Sequence, residues 1–336
     1  MSVLVTGGAG YIGSHTVAEL VAAGSEVIVL DNLEKGHRQA VETSNVKLVV
    51  GDLRDLEFIR NVLQQHNINS VIHFAAYSEA GESMTNPLKY YNNNIIASLN
   101  LLTAMQEAGV KRIVFSSTAA VYGEPEHIPI VETDRLLPIN PYGETKLAVE
   151  KALRWSDQAY GIKHVILRYF NAAGAHSDSL IGENHTPETH LIPLVLKTAL
   201  GQRESIKLFG QDYPTTDGTC IRDYIHVTDL AQAHILAYEY LKNSETSNIF
   251  NLGNGQGFSN QEVINVARQI TGRRIQIEDA PRRPGDPAVL VASSEKAKII
   301  LGWEPQFASL PQIIESAWNW HRNHPNGYAA LASREG

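Results

Sequence analysis

The sequence is short of cysteine, of basic residues and of long hydrophobic runs, and each deficit excludes a class of protein. Its one cysteine, Cys220, excludes an internal disulfide and fits a reducing compartment. The 28 Lys and Arg against 36 Asp and Glu leave a net charge of −8, which argues against non-specific nucleic-acid binding. No apolar segment is long enough for a membrane span, and glycines interrupt the N-terminal apolar stretch, so we expect neither a membrane protein nor a secretory leader. We therefore expect a cytoplasmic protein.

Short apolar runs alternate with helical patterns through the first half of the chain. The candidate strands are uninterrupted apolar runs at 3–6, 26–30, 46–50, 70–74, 112–117 and 164–170. The pattern predicts helices at 12–23, 92–108 and 142–160, each followed by a glycine of the kind that ends helices. This alternation predicts the α/β class, with a doubly wound, Rossmann-like parallel sheet whose strands are covered on both faces.

The alternation ends after Asn171. Residues 172–190 and 201–225 are rich in Gly, Pro, Asp, Thr and His and predict long loops. Beyond them the pattern predicts a strand at 248–252 and helices at 227–241, 259–271, 294–301 and 310–324. We predict a first domain at 1–171, to which 227–252 returns, a smaller loop-rich α/β substrate domain at 172–328, and a tail or cloning remnant at 329–336.

The stretch TGGAGYIG, residues 6–13, follows the first strand and opens the first helix. Gly7 permits a tight turn, Gly10 lets the backbone approach a pyrophosphate, and Gly13 lets the helix pack closely on the strand. The amides and partial positive charge of the helix N-terminus then favour phosphate binding. The spacing and its context predict that the first domain binds a dinucleotide.

An acidic residue at the end of the second strand indicates which dinucleotide binds. Asp31 lies 18 residues past Gly13 and suits hydrogen bonds to the adenosine ribose, which favours NAD over NADP. Lys35 and Arg38 nearby keep NADP open as a minority alternative. Asp52, in VVGDLRD, either meets the adenine edge or only forms a turn.

The stretch NPYGETKLAVEK, residues 140–151, places Tyr142 and Lys146 four positions apart, on nearly the same helix face. A free phenol titrates near pH 10, but an adjacent ammonium and a positive nicotinamide ring would favour the phenolate. Such a pair occurs by chance in many proteins. The decisive addition is FSSTAAVYG (115–123), which puts a Ser-Ser-Thr run ending at Thr118 at the carboxyl end of a strand, where ligands meet open α/β sheets. Together these residues predict a proton-transfer site.

The motifs TGGAGYIGSH, DNL (31–33), HFAA (73–76), FSSTAAVYG, PYGETK, RYFN (168–171), DGTCIRDYIHVTDLA (217–231) and APRRPGD (280–286) together resemble the UDP-glucose 4-epimerase family. This family belongs to the extended short-chain dehydrogenase/reductase superfamily, and the resemblance runs from residue 1 to about 328. It implies reversible interconversion of UDP-glucose and UDP-galactose through a transient 4-keto sugar, with NAD tightly bound.

The resemblance also implies roles for individual residues, and no metal ion. The catalytic set is Tyr142 as base, Thr118 as its hydrogen-bonding relay and Lys146 as electrostatic tuner and ribose anchor. The NAD contacts are Gly7, Gly10, Tyr11, Ile12, Gly13, Asp31, Asn32, Asp52, Leu53, Phe74, Ala75, Ala76, Asn94, Ser116, Tyr142, Lys146 and Tyr169. The UDP-sugar contacts are Thr118, Tyr142, Asn171, His190, Leu191, Lys207, Phe209, Arg222, Arg283, Asp286 and Leu290.

Three positions depart from the family pattern. Ser78 stands where many members have lysine, and His190 in THLIP stands where many have asparagine. Leu290 stands where members with a tight sugar pocket have tyrosine. A smaller side chain there leaves room for a 2-acetamido group, which predicts activity on UDP-N-acetylglucosamine and UDP-N-acetylgalactosamine as well.

Other functions were weighed against this interpretation. A 4,6-dehydratase usually needs an Asp-Glu pair after the threonine, and here Ala119 and Ala120 follow it. A non-catalytic NAD(H)-binding regulator would be expected to lose the tyrosine or the lysine. A 4-epimerase for a uronic acid or pentose sugar nucleotide stays open. Relatives pair the helices at 92–108 and 142–160 with a twofold mate as a four-helix bundle, so the resemblance implies a homodimer.

Overall fold

The computed structural model describes residues 2–283 and 286–328, so the tail at 329–336 lies outside the described residues. The strands are β1 Ser2–Thr6, β2 Val27–Asp31, β3 Lys47–Val50, β4 Ile68–His73, β5 Arg112–Ser116, β6 Lys163–Tyr169, β7 Asn171–Ala173, β8 Ile206–Phe209, β9 Ile221–His226, β10 Asn248–Leu252, β11 Gly257–Ser259, β12 Ile277–Ala280 and β13 Val289–Leu290. The helices are α1 Tyr11–Ala22, α2 Gln39–Glu42, α3 Leu56–Gln65, α4 Ala80–Thr85, α5 Pro87–Tyr90, α6 Ala97–Ala108, α7 Pro141–Tyr160, α8 Leu191–Ala199, α9 Val227–Asn243, α10 Asn260–Thr271, α11 Glu295–Leu301 and α12 Leu310–Asn323.

A seven-stranded sheet with the order β10-β6-β5-β4-β1-β2-β3 forms the main body. All of its neighbouring strands pair in parallel. The predicted doubly wound α/β fold is therefore confirmed. The strand order reverses between β1 and β4, and ligands of such sheets bind at the carboxyl ends of the strands beside this reversal.

Two apolar cores cover the two faces of this sheet, because successive strand residues point to opposite sides. Val3, Val5 and Val29 pack on one face with residues of α1 and α9. Leu4 and Leu30 pack on the other face with residues of α3, α6 and α7. Full burial of one such side chain is worth about 1.5–3 kcal/mol. The prediction of full coverage is wrong for β3, whose residues are half-buried or exposed because it lies at the sheet edge.

A smaller region is built around β9, which pairs with β7 and β13 in parallel and with β11 in antiparallel. A separate pair joins β8 to β12, and α8, α10 and α12 share a third apolar core with them. The prediction of uninterrupted loops at 172–190 and 201–225 is wrong, because β7, β8 and most of β9 lie there. These strands are short, and their partners lie far away in the sequence, as Val289–Leu290 does for β9. Their stability therefore depends on distant segments of the chain.

Most predicted helices agree with the structure, but the one at 92–108 is divided. It comprises a π-helical segment, Tyr91–Ile96, followed by α6, which ends at Gly109 with a left-handed φ of +73°. Single π-turns inside helices are frequent at functional sites. In the part of the chain that the structure describes, no helix combines the length and the hydrophobicity needed to cross a membrane.

Candidate active site

The glycine loop between β1 and α1 is shaped by close backbone contacts. Gly7 has a φ of +69°, which only glycine adopts easily, and a Cβ there would lie 2.6 Å from the amide nitrogen of Ala75. A Cβ on Gly13 would lie 2.2 Å from the carbonyl oxygen of Gly7. A Cβ on Gly10 would meet one protein atom, the same oxygen at 3.3 Å. Packing therefore demands glycine at two positions and leaves the third facing open space.

This open space fits a dinucleotide phosphate. Helix α1 begins after Gly10 without a side-chain cap among the described residues, so its first amides remain available to an anion. Asp31 accepts hydrogen bonds from the amides of Ala9 (3.0 Å) and Leu33 (2.9 Å), and burial raises its pKa. Each of its oxygens keeps a second acceptor site, which suits ribose hydroxyls.

The other predicted cofactor residues divide into two groups. Asn32 donates to Asp52 at 3.3 Å, and the hydrogen bond from Arg54 lowers the pKa of Asp52 to about 2. The residues at the end of β4 contact the glycine loop, since Phe74 and Ala75 line the space above Gly7.

The second group of predicted NAD contacts is Asn94 and Leu53, whose side chains are buried. The Asn94 amide donates to the carbonyl of Tyr77 and to Thr145, both at 3.0 Å, and accepts from the amide of Tyr77 at 2.9 Å. It thereby ties the loop after β4 to α7. Leu53 belongs to the apolar core. Both residues are buried, and their contact with NAD stays a prediction.

Helix α7 positions the tyrosine and the lysine. The Asn140 side chain accepts from the Gly143 amide at 2.8 Å, Pro141 occupies the first turn, and Gly161 ends the helix with a φ of +66°. Tyr142 and Lys146 are 9% and 4% exposed. The Lys146 ammonium donates to the Ser116 carbonyl at 2.8 Å, which brings the predicted pair to the carboxyl end of β5.

Burial is the largest influence on the pKa values of this pair. Burial raises the pKa of Tyr142 to about 12, against a hydrogen bond from Thr118 that acts in the opposite direction. Burial lowers the pKa of Lys146 to about 7, although Glu150 opposes this. The protein groups alone therefore favour a neutral phenol, because desolvation outweighs the hydrogen bond from Thr118. A phenolate requires a further positive charge beside the ring, and a bound pyridinium would supply one.

Most of the residues around the pair are buried, and Tyr169 is partly buried. The Ser116 hydroxyl makes a 2.7 Å hydrogen bond with His234. Burial and the nearby Tyr142 raise the pKa of Tyr169, and a hydrogen bond with Ser116 acts in the opposite direction. Thr118 caps the 3₁₀ turn Ala119–Val121 by accepting from the Ala120 amide at 3.1 Å. The predicted residues Ser116, Thr118, Tyr142, Lys146 and Tyr169 thus form one cluster.

Most of the predicted UDP-sugar residues lie on or near β9. Arg222 forms an ion pair with Asp286, and Leu290 is paired with Arg222 across β9 and β13. The Arg283 guanidinium lies 4.0 Å from the centre of the Phe209 ring. Asn171, on the neighbouring β7, donates to the carbonyl of Asp223 at 3.1 Å. Lys207 projects from β8 as an exposed side chain.

His190 has a different environment, together with three residues that the sequence analysis did not single out. Its Nδ1 lies 2.7 Å from Glu183 Oε1 and 3.4 Å from Glu188 Oε1. His185 Nδ1 lies 3.3 Å from the same oxygen of Glu183. The signal was present in the sequence as two Glu-x-His units in GENHTPETHL, residues 182–191. Leu191 follows as the first residue of α8.

Comparisons with known proteins bear on this cleft. The sequence profile of the NAD dependent epimerase/dehydratase family matches residues 3–253. The chain belongs to this family. Within it, the chain is 60% identical over 329 residues to the UDP-glucose 4-epimerase of Halalkalibacterium halodurans, covering 98% of each chain.

Solved structures of family members superimpose closely on this chain. A crystal structure of a UDP-glucose 4-epimerase has a TM-score of 0.95 at 55% identity and covers 98% of this chain and 99% of its own. The UDP-glucose 4-epimerase of Bifidobacterium longum, in complex with NAD⁺ and UDP, has a TM-score of 0.94 at 40% identity and covers 98% of this chain and all 100% of its own. The likeness therefore extends over both the sheet domain and the smaller region.

Proposed function

We propose that this chain is an epimerase that interconverts UDP-glucose and UDP-galactose by inverting the configuration at C4, with NAD bound along the glycine loop. The observation that carries the proposal is the buried cluster of Tyr142, Thr118 and Lys146 at the carboxyl ends of the parallel strands. The near full-length identity to UDP-glucose 4-epimerases supports it. Without both, a dinucleotide fold alone would not identify the reaction.

The glycine loop and Asp31 would hold NAD, which would supply the hydride-transfer chemistry that inversion at C4 needs. The task of Tyr142 is to hold and move the proton of the 4-hydroxyl, because its oxygen is buried beside a single relay hydroxyl, that of Thr118. Lys146 is held at 2.8 Å from the Ser116 carbonyl, which aims its ammonium into the site. Burial excludes water, which strengthens each of these charge interactions.

The nucleotide end of the substrate needs a separate grip, since the sugar must turn over while the diphosphate stays bound. Arg222 and Arg283 suit this role, because a guanidinium donates to two phosphate oxygens at once. Phe209 beneath Arg283 offers an aromatic face to a base. Asp286 orients Arg222 through their ion pair.

The range of UDP-sugars that the site accepts depends on the residue at position 290. Leu290 is half-buried and packs with the apolar cluster that includes Ala119 and Phe170, next to the catalytic threonine. We assign to it the space for a 2-acetamido group, so that N-acetylated UDP-sugars are also substrates. Epimerisation of a uronate or pentose sugar nucleotide is the alternative that substrate assays must separate.

A homodimer in the cytoplasm is part of the same proposal. The two helices expected to pair carry exposed apolar side chains, with Leu99 on α6 43% exposed and Trp155 on α7 59% exposed. Ile96, in the π-helical segment, is 45% exposed. Large exposed apolar side chains on adjacent helices are typical of subunit interfaces. Sedimentation equilibrium measures the expected dimer, and a monomer at micromolar concentration would contradict it.

The direct test uses the purified chain without added cofactor. Incubation with UDP-galactose should yield UDP-glucose, because NAD that is not consumed needs no external supply. The ultraviolet spectrum of the protein should also show retained NAD that becomes slightly reduced when UDP-sugar is added. Accumulation of freely exchanging NADH would instead indicate an ordinary dehydrogenase or a sensor.

A further inference from the structure

The segment between β7 and α8 carries a compact group of two histidines and two glutamates. Its four ligand atoms all lie within 4.8 Å of one another. We propose a binding site for one divalent transition-metal ion of the Zn²⁺ type, whose ligands are Glu183, His185, Glu188 and His190. One of these ligands, His190, is also a predicted UDP-sugar contact, but the proposal of a metal site does not depend on the reaction proposed above.

The spacing of the ligand atoms fits a four-coordinate ion. Tetrahedral Zn²⁺ with Zn–N and Zn–O bonds of about 2.0–2.1 Å places neighbouring ligand atoms about 3.3–3.4 Å apart. Glu183 Oε1 lies 3.3 Å from His185 Nδ1, and Glu188 Oε2 lies 3.7 Å from that same nitrogen. The distance of 2.7 Å between Glu183 Oε1 and His190 Nδ1 is shorter, and a small rotation of the half-exposed His190 ring lengthens it.

The buried carboxylates lack other partners for the atoms that face this centre. Glu183 and Glu188 have side chains that are only 4% exposed. Glu183 Oε1, His185 Nδ1 and Glu188 Oε2 make no hydrogen bond of acceptable geometry among the described residues. Buried polar atoms are normally satisfied, and one ion bound between these three atoms would satisfy all of them.

The outer contacts hold these ligands in place. The second oxygen of Glu188, Oε1, accepts from the amides of Thr189 (2.8 Å) and His190 (2.9 Å), which fixes the orientation of the carboxylate. Such supporting hydrogen bonds are characteristic of metal sites. Two carboxylates and two neutral imidazoles also carry the charge that neutralises a divalent cation.

Protons compete with the metal ion for the histidine nitrogens of this site. A histidine must be neutral to bind a metal ion, so metal binding weakens as the pH falls. Nitrogen and oxygen ligands of this kind suit Zn²⁺ and its neighbours better than Ca²⁺ or Mg²⁺.

The position of the segment indicates a structural role. The carbonyl of Thr186 accepts from Lys35 at 2.9 Å, and the carbonyl of Asn184 lies 2.9 Å from His37 Nε2, both on the dinucleotide-binding side. The carbonyl of Glu183 accepts from the Trp320 indole of α12 at 3.2 Å. Four protein ligands leave no open coordination position, which is typical of structural zinc sites. The ion would fasten a segment that joins the two regions.

The experiment uses the full chain expressed without a polyhistidine tag, stripped with EDTA and dialysed into chelator-free buffer. Titration with Co²⁺ should give one ion per chain with the intense visible bands of a tetrahedral site, and Zn²⁺ should displace it. Zn²⁺ should also raise the thermal unfolding midpoint. Titration of this unaltered chain keeps the test independent of whether any variant folds, and absence of a saturable site in it overturns the proposal.

Variants locate the site. His185→Gln and Glu188→Gln should each weaken Zn²⁺ binding by more than about 100-fold, since even outer-shell partners are worth about 10–100-fold. His176→Gln is the matched control. His176 contacts Asp178 through Nδ1 (2.8 Å) and Glu19 through Nε2 (3.7 Å), and two opposite nitrogens cannot converge on one ion. Equal loss in all three variants, or loss in none, would overturn the assignment of ligands.

Discussion

The two ends of the proposed substrate meet regions of the molecule that are built differently. Tyr142 and Lys146 lie on the 20-residue helix α7, buried against the end of β5. Arg222 lies on the short strand β9, and Arg283 follows the four-residue strand β12 in an exposed segment. The reacting tyrosine and lysine are therefore held by one long helix, whereas the binding arginines lie on or just after strands of six and four residues. Precision within a fraction of an ångström is needed for chemistry, whereas a charged grip on a diphosphate tolerates more movement.

The sharpest test of this difference is Tyr142→Phe. Removal of the hydroxyl removes the proton acceptor, so kcat should fall about 10²–10⁴-fold with little change in KM. The control is Tyr122→Phe, because Tyr122 is also buried, its pKa is also raised by burial to about 12, and its hydroxyl binds Arg168 (3.0 Å) and Asn251 (2.6 Å) instead. Initial rates with UDP-galactose measure both variants, and an unchanged rate for Tyr142→Phe would refute the catalytic assignment.

In the smaller region, Arg283→Ala should act on binding. Loss of hydrogen bonds to a charged diphosphate costs about 1.5–3 kcal/mol, so KM should rise about 10- to 150-fold while kcat changes little. Arg282→Ala is the matched control, since that guanidinium binds Asp212 at 2.7 Å and stacks on Tyr213 at 4.1 Å. If both variants lowered kcat and left KM unchanged, the division of roles between the two regions would be wrong.

Leu290→Tyr tests the residue of the smaller region that packs against Ala119 and Phe170, beside the catalytic threonine. A larger side chain should reduce activity on N-acetylated UDP-sugars about tenfold more than on the unsubstituted pair, as expected for a steric difference of about 1–3 kcal/mol in a pocket. Leu290→Met, of similar volume, should preserve the ratio. Rates on both substrate pairs give the answer, and equal losses on the two would argue against a steric gate.

The last test concerns the stability of the catalytic region and not its activity. Burial lowers the pKa of Lys146 to about 7, below its value of about 10.4 in an unfolded chain, so the unfolded state binds more protons between these values. Stability of the parent should therefore rise relative to Lys146→Met as pH increases from 7 to 10, by at most about 1.4 kcal/mol per pH unit. Urea unfolding at several pH values measures the difference, and a constant difference would show that the lysine is not desolvated.

The two regions also differ in how much of their structure could be predicted from the sequence. The glycine loop and α7 are encoded locally, since Gly7 needs a positive φ and the Asn140–Pro141 start and Gly161 end define the helix. The prediction of a loop at 201–225 is wrong for β8, because this strand pairs with β12 some seventy residues later. Ile206 lies opposite Ile277 in this pair. A strand stabilised by so distant a partner leaves little trace in its own composition.

The sequence by itself determined the α/β class, the dinucleotide loop and the tyrosine–lysine pair, because each follows from contacts between residues that are near neighbours in the chain. Tertiary structure alone decided that burial raises the pKa of Tyr142, since desolvation depends on what surrounds the phenol and not on its neighbours in sequence. It also decided that the side chains of the two Glu-x-His units converge, because the sequence shows these four residues but not the direction in which each side chain points.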